Sequence, residues 1–187
     1  FALSFWDYID KALSEKRISK GKQLLKTHQK DFARIEKKYG ISPHYLAAFW
    51  GMETFYGEYM GNYNTLEALV TLSYDLRRRD FFKKHLFILL ELLDKNKIES
   101  KDLKSSWAGA MGNFQFMPTT LKDYGTDADN NGKINIWNSL PDSFESAGNY
   151  LSLIGWSKGE LWGREVILPL KFDYASFVGK KDKKSLK

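Results

Sequence analysis

The stretch Ser42-Pro43-His44-Tyr45-Leu46-Ala47-Ala48-Phe49-Trp50-Gly51-Met52-Glu53-Thr54-Phe55 decides the fold class. It opens as a helix: a serine can accept from the unpaired N–H groups of a first turn, and the missing N–H of the following proline costs nothing there. Leu46, Phe49 and Trp50 then recur at helical spacing, so the helix runs to about Phe55. Upstream, apolar residues fall every three or four positions over 4–16 and 19–39, and Gly40 stops the run. Downstream, Thr65 is placed to cap a helix over 66–74, and Asp80 one over 81–95. Ser143 begins another, in which Ser146, Ala147 and Gly148 allow close packing. Residues 165–172 alternate as a short strand would. The class expected is mainly α, with a small irregular or short-strand region.

Within that helix Glu53 follows Leu46, Phe49 and Trp50 by seven, four and three residues, which puts a carboxyl group in line with an apolar stripe. A carboxylate among apolar neighbours is costly to ionise, so its pKa rises. A group that keeps its proton near neutral pH suits general acid catalysis. The alternatives are a buried glutamate paired to an arginine, or one that snorkels to solvent at the helix end. Glycoside cleavage normally takes two carboxylates, and the sequence does not single out a second. Glu58, Glu67, Asp75 and Asp80 all sit among polar neighbours or at caps. One carboxyl suffices where the substrate supplies its own nucleophile. A well-oriented internal hydroxyl gains roughly 7–11 kcal/mol in effective molarity.

The 187 residues suffice for one well-buried domain, and 43% apolar with 16% aromatic content excludes a disordered chain. Most of the aromatic rings are expected in the core, the rest being available to stack on sugars. A net charge of +6 favours polyanionic partners without choosing one. Part of that charge lies in a basic tail at 179–187. No motif or basic-aromatic stripe supports nucleic-acid binding. The absence of Cys removes disulfides, thiol nucleophiles and thiolate metal sites. No apolar run is long enough to span a membrane. Beginning at Phe1 without a signal-like stretch, the chain reads as a mature or trimmed product.

Asp127, Asp129, Asn131 and Gly132 have the spacing of an EF-hand-like loop, with Lys133 offering its carbonyl. The twelfth position is Asn138 rather than a bidentate glutamate. The loop is therefore a candidate for weakly bound structural calcium or adventitious sodium. The alternative is an Asx-rich turn holding no metal.

Trp50-Gly51-Met52-Glu53-Thr54 with Tyr56-Gly57 and Met60-Gly61 resembles the catalytic-helix signature of the B-type membrane-bound lytic murein transglycosylases, glycoside hydrolase family 103. So do Ala108-Gly109-Ala110-Met111-Gly112 and Gln115-Phe116-Met117-Pro118-Thr119. The likeness takes in Thr65-Leu66-Glu67-Ala68-Leu69, Arg78-Arg79, Gly132-Lys133-Ile134-Asn135-Ile136-Trp137 and Ala147-Gly148-Asn149-Tyr150-Leu151, and spans about 19–170 in order. Met52 and Phe114 depart from the pattern. The resemblance implies a lysozyme-like fold and cleavage of the β-1,4 bond from N-acetylmuramic acid to N-acetylglucosamine in peptidoglycan. The muramyl 6-hydroxyl would close a 1,6-anhydro end, with Glu53 as single acid and base and no cofactor required. It implies substrate contacts for Gln115, Ser106, Arg78, Arg79 and, by looser alignment, Tyr8. It makes Asp142 the closing ligand of the calcium loop. It also implies a periplasmic location, outer-membrane association through a segment outside this chain, and other cell-wall enzymes as partners.

One catalytic domain over 1–187 is expected, with lobes at about 1–40 plus 41–100 and at 101–175. Relatives continue past the equivalent of Lys187 into a groove-lining segment, so a trimmed chain or a more open groove is expected. A hydrolytic muramidase on the same scaffold and a non-catalytic wall-binding module are the rival readings.

Overall fold

The structure, a computed structural model, describes residues 4–159, 163 and 167–173. Its centre is α4 (Pro43–Thr54), which starts at Ser42 and Pro43 as the sequence predicts, although the Ser42 side chain makes no cap hydrogen bond. Leu46, Ala47, Trp50, Gly51 and Thr54 are buried, and apolar residues occupy every side of this helix. A helix apolar all round belongs in the interior, and α4 packs against α2 (Glu15–Thr27), α3 (Gln29–Tyr39) and α8 (Leu140–Leu153). Phe144 of α8 carries much of this contact. Its ring stacks on Phe32 at 4.9 Å and meets Trp50 edge-on at 5.1 Å. The small residues of α8 act as expected: a Cβ on Gly148 would lie 2.8 Å from Ile35 and Tyr39 of α3.

A second layer is formed by α5 (Thr65–Leu72), α6 (Arg79–Asp94) and α7 (Pro118–Tyr124), which pack in that sequence through Leu69, Phe82, Leu89 and Leu121. The two-residue strands β1 (Tyr63–Asn64) and β2 (Lys104–Ser105) pair antiparallel, Tyr63 opposite Ser105. Single bridges extend this pairing from Ser105 to Met111 and from Met111 to Phe116. The first helix, α1 (Phe5–Ala12), carries a capping box in which Ser4 and Asp7 each accept from the other's backbone. Among the described residues no helix is long and apolar enough to cross a membrane.

Several boundaries differ from expectation. The run over 4–16 breaks at Leu13–Ser14, where Ser14 caps α2 by accepting from the N–H of Arg17. The run over 19–39 divides at His28, which ends α2 and begins α3. Asn64, not Thr65, caps α5, because its Oδ1 accepts from the N–H groups of both Leu66 and Glu67. Helix α6 starts after Arg78 rather than Asp80, and α8 starts after Ser139 rather than at Ser143. Of the strand expected over 165–172, residues 167–172 form no strand and include a turn closed by the Phe172 N–H on the Pro169 carbonyl. Residues 165 and 166 and the basic tail lie outside the described residues.

Candidate active site

The buried face of α4 runs through Leu46, Ala47, Trp50, Gly51 and Thr54, which leaves Glu53 at its rim rather than within it. The expectation of a carboxyl group sunk in the apolar stripe is thus corrected. Phe49, four residues earlier, is half-buried with its ring 5.0 Å from Phe114 and 6.4 Å from Tyr150. Glu53 continues that edge one turn on and remains open to solvent. Its surroundings still remove enough water to raise its pKa above the usual carboxylate value, with desolvation the sole cause. No hydrogen bond or ion pair from a described residue reaches it. The rival reading, a glutamate neutralised by an arginine, describes Glu145 instead. There burial opposes ionisation, but hydrogen bonds from Lys38 and Tyr39 and the charge of Arg34 outweigh it and hold the carboxylate below its ordinary pKa.

After Thr54 the chain reverses sharply. Phe55, Tyr56 and Gly57 take successive left-handed conformations, with φ of 52°, 63° and 85°. A left-handed residue bearing a side chain costs roughly 1–2 kcal/mol, so the turn needs support. Thr54 Oγ1 accepts from the N–H of Gly57 at 2.9 Å, and the Thr54 carbonyl accepts from the N–H of Tyr59 at 2.9 Å. The Tyr56 ring fills the gap between α2 and α4, where a Cβ on Gly51 would meet it at 2.6 Å. Gly61 lies against the backbone of Ser105 and Ser106, leaving no room for any side chain.

The second wall of the site is the hairpin Met111–Phe116, whose two end residues exchange backbone hydrogen bonds of 2.9 Å. Its anchor is Asn113, fully interior and absent from every sequence-level expectation. Asn113 Oδ1 accepts from the Trp50 indole at 2.8 Å, and its Nδ2 donates to the carbonyls of Ile136 and Trp137 and to Ser143 Oγ. Its own carbonyl accepts from Thr54 Oγ1 at 2.8 Å. One amide thereby ties α4, the hairpin, the 134–138 segment and α8. A signal did exist: Trp50 and Thr54 carry polar atoms on a buried face, and such atoms need partners.

Gln115 follows in a left-handed conformation of φ 51°. Its Nε2 donates to the carbonyls of Met60 and Gly112, both at 3.2 Å. Two carbonyl partners require the amide nitrogen on that side, so Oε1 faces away and is free to accept. Ser106 Oγ accepts from the N–H of Ala110 at 3.1 Å and closes its own loop, with its hydroxyl proton still available. Arg78 lies over the rings of Phe81 and Phe82, at 4.3 and 5.1 Å, and lines a cavity of about 330 Å³. Arg79 opens α6. Tyr8 stands exposed on α1 and touches none of these groups through a hydrogen bond or ring contact. Fewer rings than expected are interior: Trp6, Tyr59, Tyr63, Tyr74, Phe87 and Trp107 all reach solvent.

Two of the four other candidate carboxylates have cationic partners, while Glu67 and Asp80 form no ion pair among the described residues. Lys20 donates to Glu58, and that hydrogen bond lowers the Glu58 pKa. Asp75 is held at about 2 by hydrogen bonds from Arg77. A cavity of about 370 Å³ lies between the Gly57–Asn62 turn and Lys101, Lys104, Trp137 and Asn138.

The acidic loop forms a cluster in which one oxygen each of Asp127, Asp129 and Asp142 lies within 4.8 Å of the others. Asp127 accepts from the N–H groups of Asn131 and Gly132, and Asn131 Oδ1 accepts from the Lys133 N–H. Asp142 accepts from Ala128 and Asn135, both at 2.8 Å. Its pKa is raised first by burial and then by the charges of Asp129 and Asp127, despite those hydrogen bonds. Three hard oxygen donors whose mutual repulsion a cation would relieve fit a calcium-type ligand set. Asn138 instead donates to Asp102 and takes no part.

Set beside known proteins, the chain matches the transglycosylase SLT domain family over residues 1–187. It is 33% identical to membrane-bound lytic murein transglycosylase B of Escherichia coli (strain K12) over 154 residues, 82% of this chain and 42% of that protein. SltB3 from Pseudomonas aeruginosa, solved in complex with NAG-anhNAM-pentapeptide, superposes with a TM-score of 0.89 at 39% identity, covering 94% of this chain and 47% of that one. Escherichia coli Slt35 in complex with calcium gives 0.75 at 34% identity, covering 82% and 49%. The chain spans about half the length of these relatives or somewhat less.

Proposed function

This chain belongs to the transglycosylase SLT domain family, a mainly α, lysozyme-like group, and from that premise we propose that it cuts peptidoglycan glycan strands between N-acetylmuramic acid and N-acetylglucosamine. The observation that carries the reading is Glu53: a carboxyl group open to substrate, without a partner among the described residues, and with its pKa raised by desolvation alone. Such a group holds a proton at a pH where an ordinary glutamate has lost it.

Glu53 gives that proton to the glycosidic oxygen as the C1–O bond breaks. Its carboxylate then takes the proton of the muramyl 6-hydroxyl as that oxygen bonds to C1. A 1,6-anhydro end results, no water is consumed, and Glu53 regains its acid form. The ion-paired states of Glu58 and Asp75 remove two of the four rival carboxylates and in that measure support a single-carboxyl route. Gln115 supplies Oε1 as an acceptor for a substrate amide or hydroxyl, and Ser106 a hydroxyl donor. Arg78 and Arg79 face muramyl or peptide carboxylates, and Tyr8 contributes a ring at the groove's edge. Calcium would be held by Asp127, Asp129 and Asp142, with Asn131 and the Lys133 carbonyl, and its role would be structural. The membrane-bound relative supports a periplasmic location, with outer-membrane association through a segment outside this chain and other cell-wall enzymes as partners.

Mass analysis of peptidoglycan digested by the chain tests the reading. The expected fragments are lighter by one water than those of a hydrolase. Glu53→Gln is expected to lower their release by at least about a hundredfold, the lower bound of general acid–base catalysis. Hydrolytic fragments, or unchanged release by that variant, would overturn it.

A further inference from the structure

Trp107 is 65% exposed, an unusual position for the largest apolar side chain. It is also firmly held. The turn at 106–109 is closed by the Gly109 N–H on the Ser106 carbonyl at 3.0 Å. Two more bonds, from the Ser106 N–H to the Ala110 carbonyl and from the Ala110 N–H to Ser106 Oγ, brace its base. The indole therefore stands at the tip of a fixed turn, and it follows directly from β2 and the bridge that ties β2 to the Gln115 hairpin.

Two cavities meet at this ring. One, of about 320 Å³, has Tyr63, Asn64 and Glu67 on its walls; the other, of about 330 Å³, has Arg78 and Phe82; Leu72 and Trp107 line both. Each reaches the size of small-ligand clefts, roughly 300–1,000 Å³. The combination is an apolar ring face with hydroxyl-binding groups on one side and a cation on the other. Arg77 is taken by Asp75, but among the described residues no carboxylate pairs with Arg78. Glu67 and Asp75 also line the cavities, which disfavours a run of phosphates. A strand of alternating neutral and carboxylate-bearing sugars matches this distribution of charge.

We propose that Trp107 is a stacking platform for a sugar ring of the bound glycan, spanning the two cavities between the Tyr63 side and Arg78. The proposal rests on the glycan-cleaving reading and adds to it a binding residue that sets how strands are held along the groove. The C–H face of a pyranose lies on the indole, and its hydroxyls reach Asn64 and Glu67.

The test uses the full chain. In the Glu53→Gln background, calorimetric titration with the neutral N-acetylglucosamine tetramer is compared with and without Trp107→Ala and Trp107→Phe. Trp107→Ala is expected to weaken binding about tenfold, and Trp107→Phe to restore it to within roughly threefold. With Glu53 intact, Trp107→Ala is expected to raise KM for soluble glycan strands and leave kcat within about twofold, a split that general unfolding would not give. Unaltered affinity and KM in Trp107→Ala, alongside normal release of anhydro fragments, overturns the platform and leaves the cleavage reading standing. Weakened tetramer binding in a chain that releases no fragments supports the platform and removes the catalysis. A chain that neither binds nor cleaves glycan loses both.

Discussion

In its proposed role Glu53 meets two opposing demands, since an acid must be open to its substrate and yet lose enough water to keep its proton. The rim of α4 meets both, because the buried stripe ends at Thr54 while Phe49, Phe114 and Tyr150 build up protein beside it. A raised carboxyl pKa has a cost in stability whose sign can be worked out. A carboxyl whose folded pKa exceeds its unfolded pKa stabilises the fold at low pH, and that contribution is lost as pH rises through the folded value. Above the unfolded pKa the desolvated Glu53 therefore opposes folding, whichever form it holds in the folded state. Glu53→Gln should raise the thermal midpoint at pH 7, and the difference should vanish below about pH 4, near the usual glutamate pKa, where both states are protonated. A variant less stable than the parent at pH 7 would contradict the desolvated acid. The position of Glu53 along the chain was legible from its spacing to Phe49 and Trp50. Its exact depth was not, because burial on a helix apolar all round depends on which neighbours arrive from α2, α3 and α8.

Elements whose starts are written locally were the ones read correctly. Ser42-Pro43 carries its own instruction, and α4 begins there. Where two cap residues compete, sequence alone does not arbitrate: Asn64 precedes Thr65 and takes both free N–H groups, and Ser139 precedes Ser143. The division at His28 has no local marker, since neither glycine nor proline stands there, and its side chain makes no cap bond. It follows from packing, as the His28 ring meets both Trp50 and Phe144 at 6.2 Å. Asn113 is the clearest case of a residue that only tertiary structure explains, because all its side-chain partners lie 23 or more positions away in sequence. Asn113→Ala would strand the buried Trp50 indole N–H and the Trp137 carbonyl, while the Ile136 carbonyl and the Ser143 hydroxyl keep each other as partners. Each buried polar group left unpaired costs about 1–3 kcal/mol. A loss of at least about 2 kcal/mol in urea unfolding is expected, and cleavage should fall in protein that remains folded. A loss below about 0.5 kcal/mol would show that the hub is dispensable.

For the whole molecule, the fold class and the order of the helices were readable because helical periodicity and caps repeat along the chain. The pairing of β1 with β2 was not, since two-residue strands have no period to detect. The acidic loop was readable from its spacing, and the structure brings Asp142 to it from the first turn of α8. If the loop takes up calcium, binding to the folded state alone adds stability, about 2.7 kcal/mol at a hundred times the dissociation constant. Calcium should then raise the melting temperature of the parent but not of Asp142→Asn. Equal shifts in both proteins would mean that the ion binds elsewhere.

The two bonds accepted by Asp142 have a reach beyond the loop itself. One comes from Asn135, and the next two carbonyls along the chain, of Ile136 and Trp137, are held by Asn113, which also grips Trp50 one turn before the acid. Four short links thus join the distant acidic corner to the central helix. Loosening that corner would slacken the far end of the chain of links, and the carboxyl group would lose the steadiness of its mooring before any part of the molecule came unfolded.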